Sequence, residues 1–404
     1  MSEKRSAQRE SRTMKAIINA RVVFPDRVVD GGGILFDEDG ILASGRIKVP
    51  EGVETVDARG MYVGPGLVDE HLHGYQQYGE AFNVVDACRE VAKAHLKHGT
   101  TTMTPSAAYN LSREDFLSVI SQCNQAIREG GTTIAGIHFE GPFTNPRYGS
   151  KAERACQYSD AVCREIFDRA GRNVLHCTYA PEMECAPSLE ALLAERGVIA
   201  DIGHTCAGAA DMERAVSRGA RIITHTFDAM GHHLGAQEAA KETGDVQDST
   251  SQVALATPGL YYELICDSMG AHVTKYSASL AYRAAGEDYI ILITDATCYR
   301  QANAPSGACE RWRDATDINF NERGQLSGSR LTLNRACVNF MKMTGADIRV
   351  AFKCASTNPA RALRLDNRVG SVEVGKEANL LMVDDDFCVR AVWFRGKPVD
   401  EVRN

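Results

Sequence analysis

The chain has 404 residues, 44% of them hydrophobic and 24% charged, which suits one large domain with a smaller companion. Its formal net charge of -8 and its lack of a basic run exclude nucleic acid as a partner, though not a small phosphorylated molecule, whose binding a local pocket decides. Thirteen cysteines, an odd number without a CxxC pair, argue against disulfides or a zinc ribbon and for buried apolar thiols in a reducing cytosol. Residues 1–13, MSEKRSAQRESRT, are polar without an apolar core, so a disordered extension is expected and not a secretory signal. There is no run of about 18 apolar residues to span a membrane, and the expected location is the cytoplasm.

From Met14 to residue 60 the runs AIINARVVF, GGGILFDEDG and ILASGRI alternate apolar residues with Gly, Asp and charged residues, which predicts short strands and tight turns. Residues 364–404 behave alike, in SVEVGKEANLLMVDDDFCVRAVWFRGKPV. The two ends are therefore expected to form one small β-sandwich domain. Residues 61–363 have another rhythm. Eight apolar runs recur: MYVGPGLVDE, TTTMTPS, TIAGIHFE, VLHCTYAPE, VIADIGH, RIITHTF, LYYELICDS and YIILITDA. Between them lie stretches with helical spacing, such as VVDACREVAKAHLKHG, REDFLSVISQCNQAIREG, SLEALLAERG and AADMERAVSRGA, several closed by Gly. Eight strands alternating with helices predict an α/β fold, a (β/α)8 TIM-type barrel. An open doubly wound sheet ranks below it, because no glycine-rich nucleotide fingerprint follows the first strand.

In such a barrel, chemistry gathers at the carboxyl ends of the strands. The runs end in His71 and His73, then Glu140, His204, His225 and Asp295. Of the eleven histidines in the chain, four fall at these positions, which chance would scatter onto helices and loops. His71 and His73 lie two apart in an extended segment, so both side chains face one way, a natural half-site for a divalent metal. Each residue alone has a plain reading: HLH as incidental, Glu140 as a helix-entry carboxylate, His204 and His225 as core histidines, Asp295 as a helix cap. Six at matching ends of a repeated unit point instead to a metal site. A carboxylate and several neutral imidazoles hold a divalent ion with a position open to water, whose pKa falls from about 15.7 towards about 7. Asp295 is the expected catalytic base, taking a proton and returning it to a leaving group. That is machinery for amide hydrolysis.

The segments DARGMYVGPGLVDEHLHG and VGSVEVGKEANLLMVDDD resemble the first strand and the closing return of the amidohydrolase superfamily. The ordered set IHFEGPF, DIGHT, THTFDAM, ICDSMGAHV, LITDA, LSGSRLTL and NPARAL is similar to N-acetylglucosamine-6-phosphate deacetylases, from Met14 to the end. The resemblance implies one metal held by Glu140, His204 and His225, and a second supported by His71 and His73 with Glu140 bridging. Zinc is expected, as one or two ions, with iron, cobalt or manganese as alternatives. The resemblance makes Asp295 the catalytic aspartate and His272 a substrate contact. Asp228 and Ala229 of FDAM, Lys151 and Ser329 join it as substrate-side candidates, a plain Gly-Ser turn being an equal reading of Ser329. A homodimer and a small N-acetyl amino sugar substrate are also implied.

The chain departs from the family at the phosphate side. Asp228 stands where members usually carry Asn, and no arginine occurs between Arg221 and Arg283. Lys151, His232 and His233 are the residues available to replace that charge, although lysine lacks the bidentate fork of arginine. Two substrates follow: N-acetylglucosamine 6-phosphate, or another N-acyl compound such as an unphosphorylated amino sugar or an N-acyl amino acid. The complete ligand set argues against a barrel without catalytic activity. His95 and His98, in HLKHG, are expected to cap a helix C-terminus.

Overall fold

The computed structural model describes residues 13–75, 87–149, 159–231, 248–298, 312, 315–321 and 324–404. Lys151, His232, His233 and the extension 1–12 lie outside the described residues.

Both ends of the chain build one sheet of eight strands. Its path runs β18 (Lys397–Pro398), β17 (Val389–Phe394), β16 (Leu380–Val383), β5 (Tyr62–Pro65), β1 (Lys15–Val23), β2 (Val28–Phe36) and β3 (Ile41–Gly45), with β4 (Glu54–Asp57) paired to β1. Ile17, Val22, Ile34, Phe36, Val63, Leu380 and Trp393 form its own apolar cluster. β5 belongs here and not to the barrel: Leu381 faces Gly64 and Met382 faces Val63 across an antiparallel ladder. This sheet thus extends to Pro65.

The barrel has eight parallel strands in chain order: β6 (Leu67–Leu72), β7 (Thr100–Ala108), β8 (Ile137–Glu140), β9 (Val174–Tyr179), β10 (Ile199–Ile202), β11 (Ala220–Ile223), β12 (Tyr261–Leu264) and β13 (Ile290–Leu292). Nearly every strand residue is buried, because helices cover the outer face and side chains fill the inner one. Main-chain bonds close the ring between its last and first strands: Asp295 N donates to His71 O at 2.9 Å, and His73 N to Ala296 O at 2.7 Å.

The helix Arg113–Glu129 shows how the outer layer forms. Phe116, Val119, Ile120, Cys123 and Ala126 recur at helical spacing and are its buried face. Ser112 caps its start by accepting from Asp115 N, and Gly130 ends it at φ 71. Burying a residue such as Phe116 stabilises the fold by roughly 1.5–3 kcal/mol. Small sheet and barrel meet closely, and a Cβ on Gly64 would lie 2.7 Å from the Phe352 ring.

Candidate metal centre

Glu140 is the last residue of β8, His71 lies within β6 and His73 just beyond it. His204, His225 and Asp295 follow the ends of β10, β11 and β13 by two or three residues. All three adopt left-handed backbone, at φ 48, 27 and 45, a costly conformation for residues with a Cβ that clusters at functional sites.

Glu140 is the hub. Its Oε1 lies 2.8 Å from His204 Nε2, 3.2 Å from His225 Nε2 and 3.5 Å from His71 Nε2, and its Oε2 lies 3.3 Å from His73 Nε2. Two candidate ligand groups share it: His71, His73 and Glu140 on one side, Glu140, His204 and His225 on the other. The opposite nitrogen of every imidazole has an acceptor. His73 Nδ1 faces Ser106 O at 3.2 Å, His204 Nδ1 faces Tyr148 O at 3.3 Å, and His225 Nδ1 faces Asp228 O at 3.2 Å. His71 Nδ1 faces the carboxylate of Glu263 at 3.1 Å. A carbonyl or carboxylate only accepts, so Nδ1 carries the hydrogen and a neutral ring turns its Nε2 lone pair to the centre. Four such lone pairs converge on carboxylate oxygens, an acceptor-rich centre that calls for a cation. His71 Nε2 is buried without a hydrogen-bond partner, which fits a ligand atom. The donor set of imidazole and carboxylate suits zinc and its neighbours.

Proton affinities show the same excess of negative charge. Burial opposes protonation of His73 and His225, yet Glu140, with Asp295 beside His73, holds each of them up to about 9. Burial also disfavours ionised Glu140, but His204 and His73 keep its carboxyl well below the usual range.

Asp295 faces this centre, with Oδ1 3.3 Å from His73 Nε2 and 3.7 Å from His71 Nε2. Burial works against its charge, and His73 and His71 overcome that and keep it ionised, the state a base needs. The hairpin β14 (Ile318–Phe320) and β15 (Leu326–Ser329) packs over it, Ser329 N donating to Asp295 O at 2.8 Å.

A cavity of about 230 Å³ opens onto His73, Glu140, His204, His225 and Asp295, and Tyr109, Asn110, Asp228, Ala229, Gln325 and Ser327 also line it. Asp228 and Ala229 thus line the cavity. His272 is not among the described residues that line it; it is buried, within electrostatic reach of Asp228 and Asp295, its Nδ1 3.1 Å from Asp267 Oδ2 and its Nε2 without a hydrogen-bond partner. Ser329 is not among the residues that line it: at the end of β15 its hydroxyl is buried, donates to Thr294 O and accepts from Leu331 N. His95 and His98 also differ from expectation. Burial lowers them to about 3 and 4, so they are neutral packing groups against Tyr75 and not charged helix caps.

A second group, His138, His176 and Asp201, sits deeper in the barrel. It does not suit an ion. The two rings stack at 4.1 Å and 10°, so no single point lies in both ring planes where the lone pairs are. Their four nitrogens already face Ser106, Thr178, Asp201 and Thr104 at 2.6–3.1 Å. Asp201 and Glu263 were not singled out by sequence reasoning. The signal was there: each is the one acidic residue in an otherwise apolar barrel strand, and a buried charge needs a reason.

The model of the amidohydrolase family matches residues 62–399. The N-acetylglucosamine-6-phosphate deacetylase of Bos taurus is 28% identical over 397 residues, spanning 92% of this chain and 93% of that one. The Bacillus subtilis deacetylase of the same name is 29% identical over 413 residues, spanning 94% and 97%. The solved deacetylase of Pasteurella multocida superimposes with a TM-score of 0.83 at 24% identity, covering 95% of this chain and 99% of that one. That of Mycobacterium smegmatis, a mutant in complex with N-acetyl-D-glucosamine-6-phosphate, gives 0.79 at 24% identity, covering 96% and 99%.

Proposed function

The chain belongs to the amidohydrolase family, and on that premise we propose that it removes the acetyl group of an N-acetyl amino sugar, with N-acetylglucosamine 6-phosphate as the substrate. Water and the amide give acetate and the free amine, here glucosamine 6-phosphate. The observation that carries this reading is the convergence of four imidazole Nε2 atoms on Glu140, with Asp295 poised 3.3 Å from one of them. The like-named relatives, similar along nearly their whole length, support the choice of substrate.

Glu140, His204 and His225 would hold one divalent ion, and His71, His73 and Glu140 a second, zinc being the ion proposed. Bound there, a divalent ion supplies Lewis acidity, easing loss of a proton from water and polarising the acetyl carbonyl. Asp295 takes the proton from the attacking water and delivers it to the departing nitrogen. His272, its Nδ1 fixed by Asp267, offers its free Nε2 to the substrate. A cytoplasmic homodimer completes the proposal. Nine of the eleven described cysteines are buried, which supports the reducing compartment, and the exposed Met269, Tyr276 and Leu280 support a partner subunit.

Acetate release from N-acetylglucosamine 6-phosphate and from N-acetylglucosamine, each with and without zinc, tests the reading. Strong zinc-dependent preference for the phosphorylated sugar supports it. Activity on neither, with metal bound, removes the substrate and keeps the amidohydrolase. One observation favours the second reading, an N-acyl substrate without a phosphate: among the described residues lining the cavity none is Lys or Arg, whereas Asp228 adds negative charge.

A further inference from the structure

Three of the four imidazoles around Glu140 rest their Nδ1 on main-chain carbonyls, and only His71 rests it on a side-chain carboxylate. That carboxylate is Glu263 on β12, fully buried. The oxygen that faces His71 Nδ1 at 3.1 Å, Oε2, also accepts from the main-chain N–H of His225 at 3.0 Å. The main-chain oxygen of Glu263 accepts from Thr226 N at 2.8 Å. One residue therefore grips the turn that carries His225 at two points and the His71 ring at a third.

The grip matters because of what it holds. His225 adopts φ 27, outside the regions an L-residue prefers, so its turn persists only where neighbours over-determine it. His71 comes from the first barrel strand and His225 from beyond the sixth, and they belong to different candidate ligand groups. A single oxygen touching both fixes the separation of the two half-sites. A buried carboxylate is costly unless hydrogen-bonded, and here Oε1 has no hydrogen-bond partner while both contacts of Oε2 lie on the proposed ligand residues.

We propose that Glu263 is a positioning residue that ties the two halves of the metal centre together, setting His71 through its ring and His225 through its main chain. The inference rests on the metal reading above. It requires that loss of the contact loosen both ions and not only the one near His71.

Competition of bound zinc against a chromophoric chelator, for the full chain and its Glu263→Asp and Glu263→Gln variants, tests this without reference to turnover. Asp keeps the charge but withdraws it by one methylene, so both ions are expected to bind about 10–100-fold more weakly. Gln keeps the reach and one acceptor oxygen, so it retains two ions and binds both more tightly than Asp does. Unchanged affinity in Asp, or weakening of one ion alone, overturns the tie. Losses in Gln at least as large as those in Asp show that the kept reach does not hold the ions, and overturn positioning. Should the Asp variant not fold, Gln decides: loss of either ion there, despite the kept reach, overturns the proposal. A wild-type chain that takes up no zinc removes the metal reading itself, an outcome distinct from all of these.

Discussion

Asp295 Oδ1 lies 3.3 Å from His73 Nε2, so the proposed base and one proposed ligand share one small space. The main chain of Asp295 is held by His71 O and Ser329 N, which fixes its carboxylate at the edge of the cavity. Asp295→Asn keeps shape and loses basicity. It is expected to keep its zinc content while kcat falls about 10²–10⁴-fold. Metal analysis beside acetate release checks both halves, and near-normal turnover would refute the assignment.

Gly328 supports that aspartate from behind. A Cβ there would lie 2.6 Å from Asp295 O, and its φ of 60 suits glycine. Gly328→Ala should therefore displace Asp295 and lower kcat about 10-fold or more, since small misplacements are costly in a positioned site. KM and metal content should change less than kcat. An unchanged kcat would show that the hairpin yields.

Chelator dialysis should abolish turnover and lower the thermal midpoint, and zinc should restore both. Free zinc at about 100 times its dissociation constant adds roughly 2.7 kcal/mol for a single site. A calorimetric scan with and without zinc reads this, and identical midpoints would count against a bound ion.

Asp228 lines the cavity and brings a negative charge to it. If the substrate bears a phosphate, Asp228→Asn removes like-charge repulsion and should lower KM for the phosphorylated sugar about 3–10-fold, less at high salt. The KM for the unphosphorylated sugar should move little. Equal changes for both sugars would place the phosphate away from Asp228.

His95 and His98 give the fold an acid sensitivity of its own. Burial, with His98 beside it, lowers His95 to about 3, and burial with Arg403 lowers His98 to about 4. The unfolded chain protonates them near the ordinary value of 6.5, so between that value and about 3–4 it binds more protons than the folded one. Stability is full above that range, falls as pH drops through it, and stops falling once both states are charged. His95→Leu should flatten urea-melt stability between pH 6.5 and 4; an unchanged slope would exclude His95 as its source.

Much of this molecule was legible in its sequence, and the physical reason is periodicity. Eight apolar runs alternating with helical spacing specify a barrel, and every one of them supplies a strand, although the first, MYVGPGLVDE, is divided between β5 of the small sheet and β6 of the barrel. The positions of His71, His73, Glu140, His204, His225 and Asp295 at the run ends followed from the same pattern, because parallel strands deliver their carboxyl ends to one face. What sequence left open was decided by contacts between residues far apart in the chain. Ser329 and His95 look polar and available in one dimension, yet burial removes the first from the cavity and keeps the second neutral. Glu263 is the lone acid of strand β12, 192 residues from His71, and only barrel closure brings its carboxylate against that ring. Alternation along a chain is local and can be read from it; which distant donor meets a given oxygen depends on how the strands close, and that exists only in the folded chain.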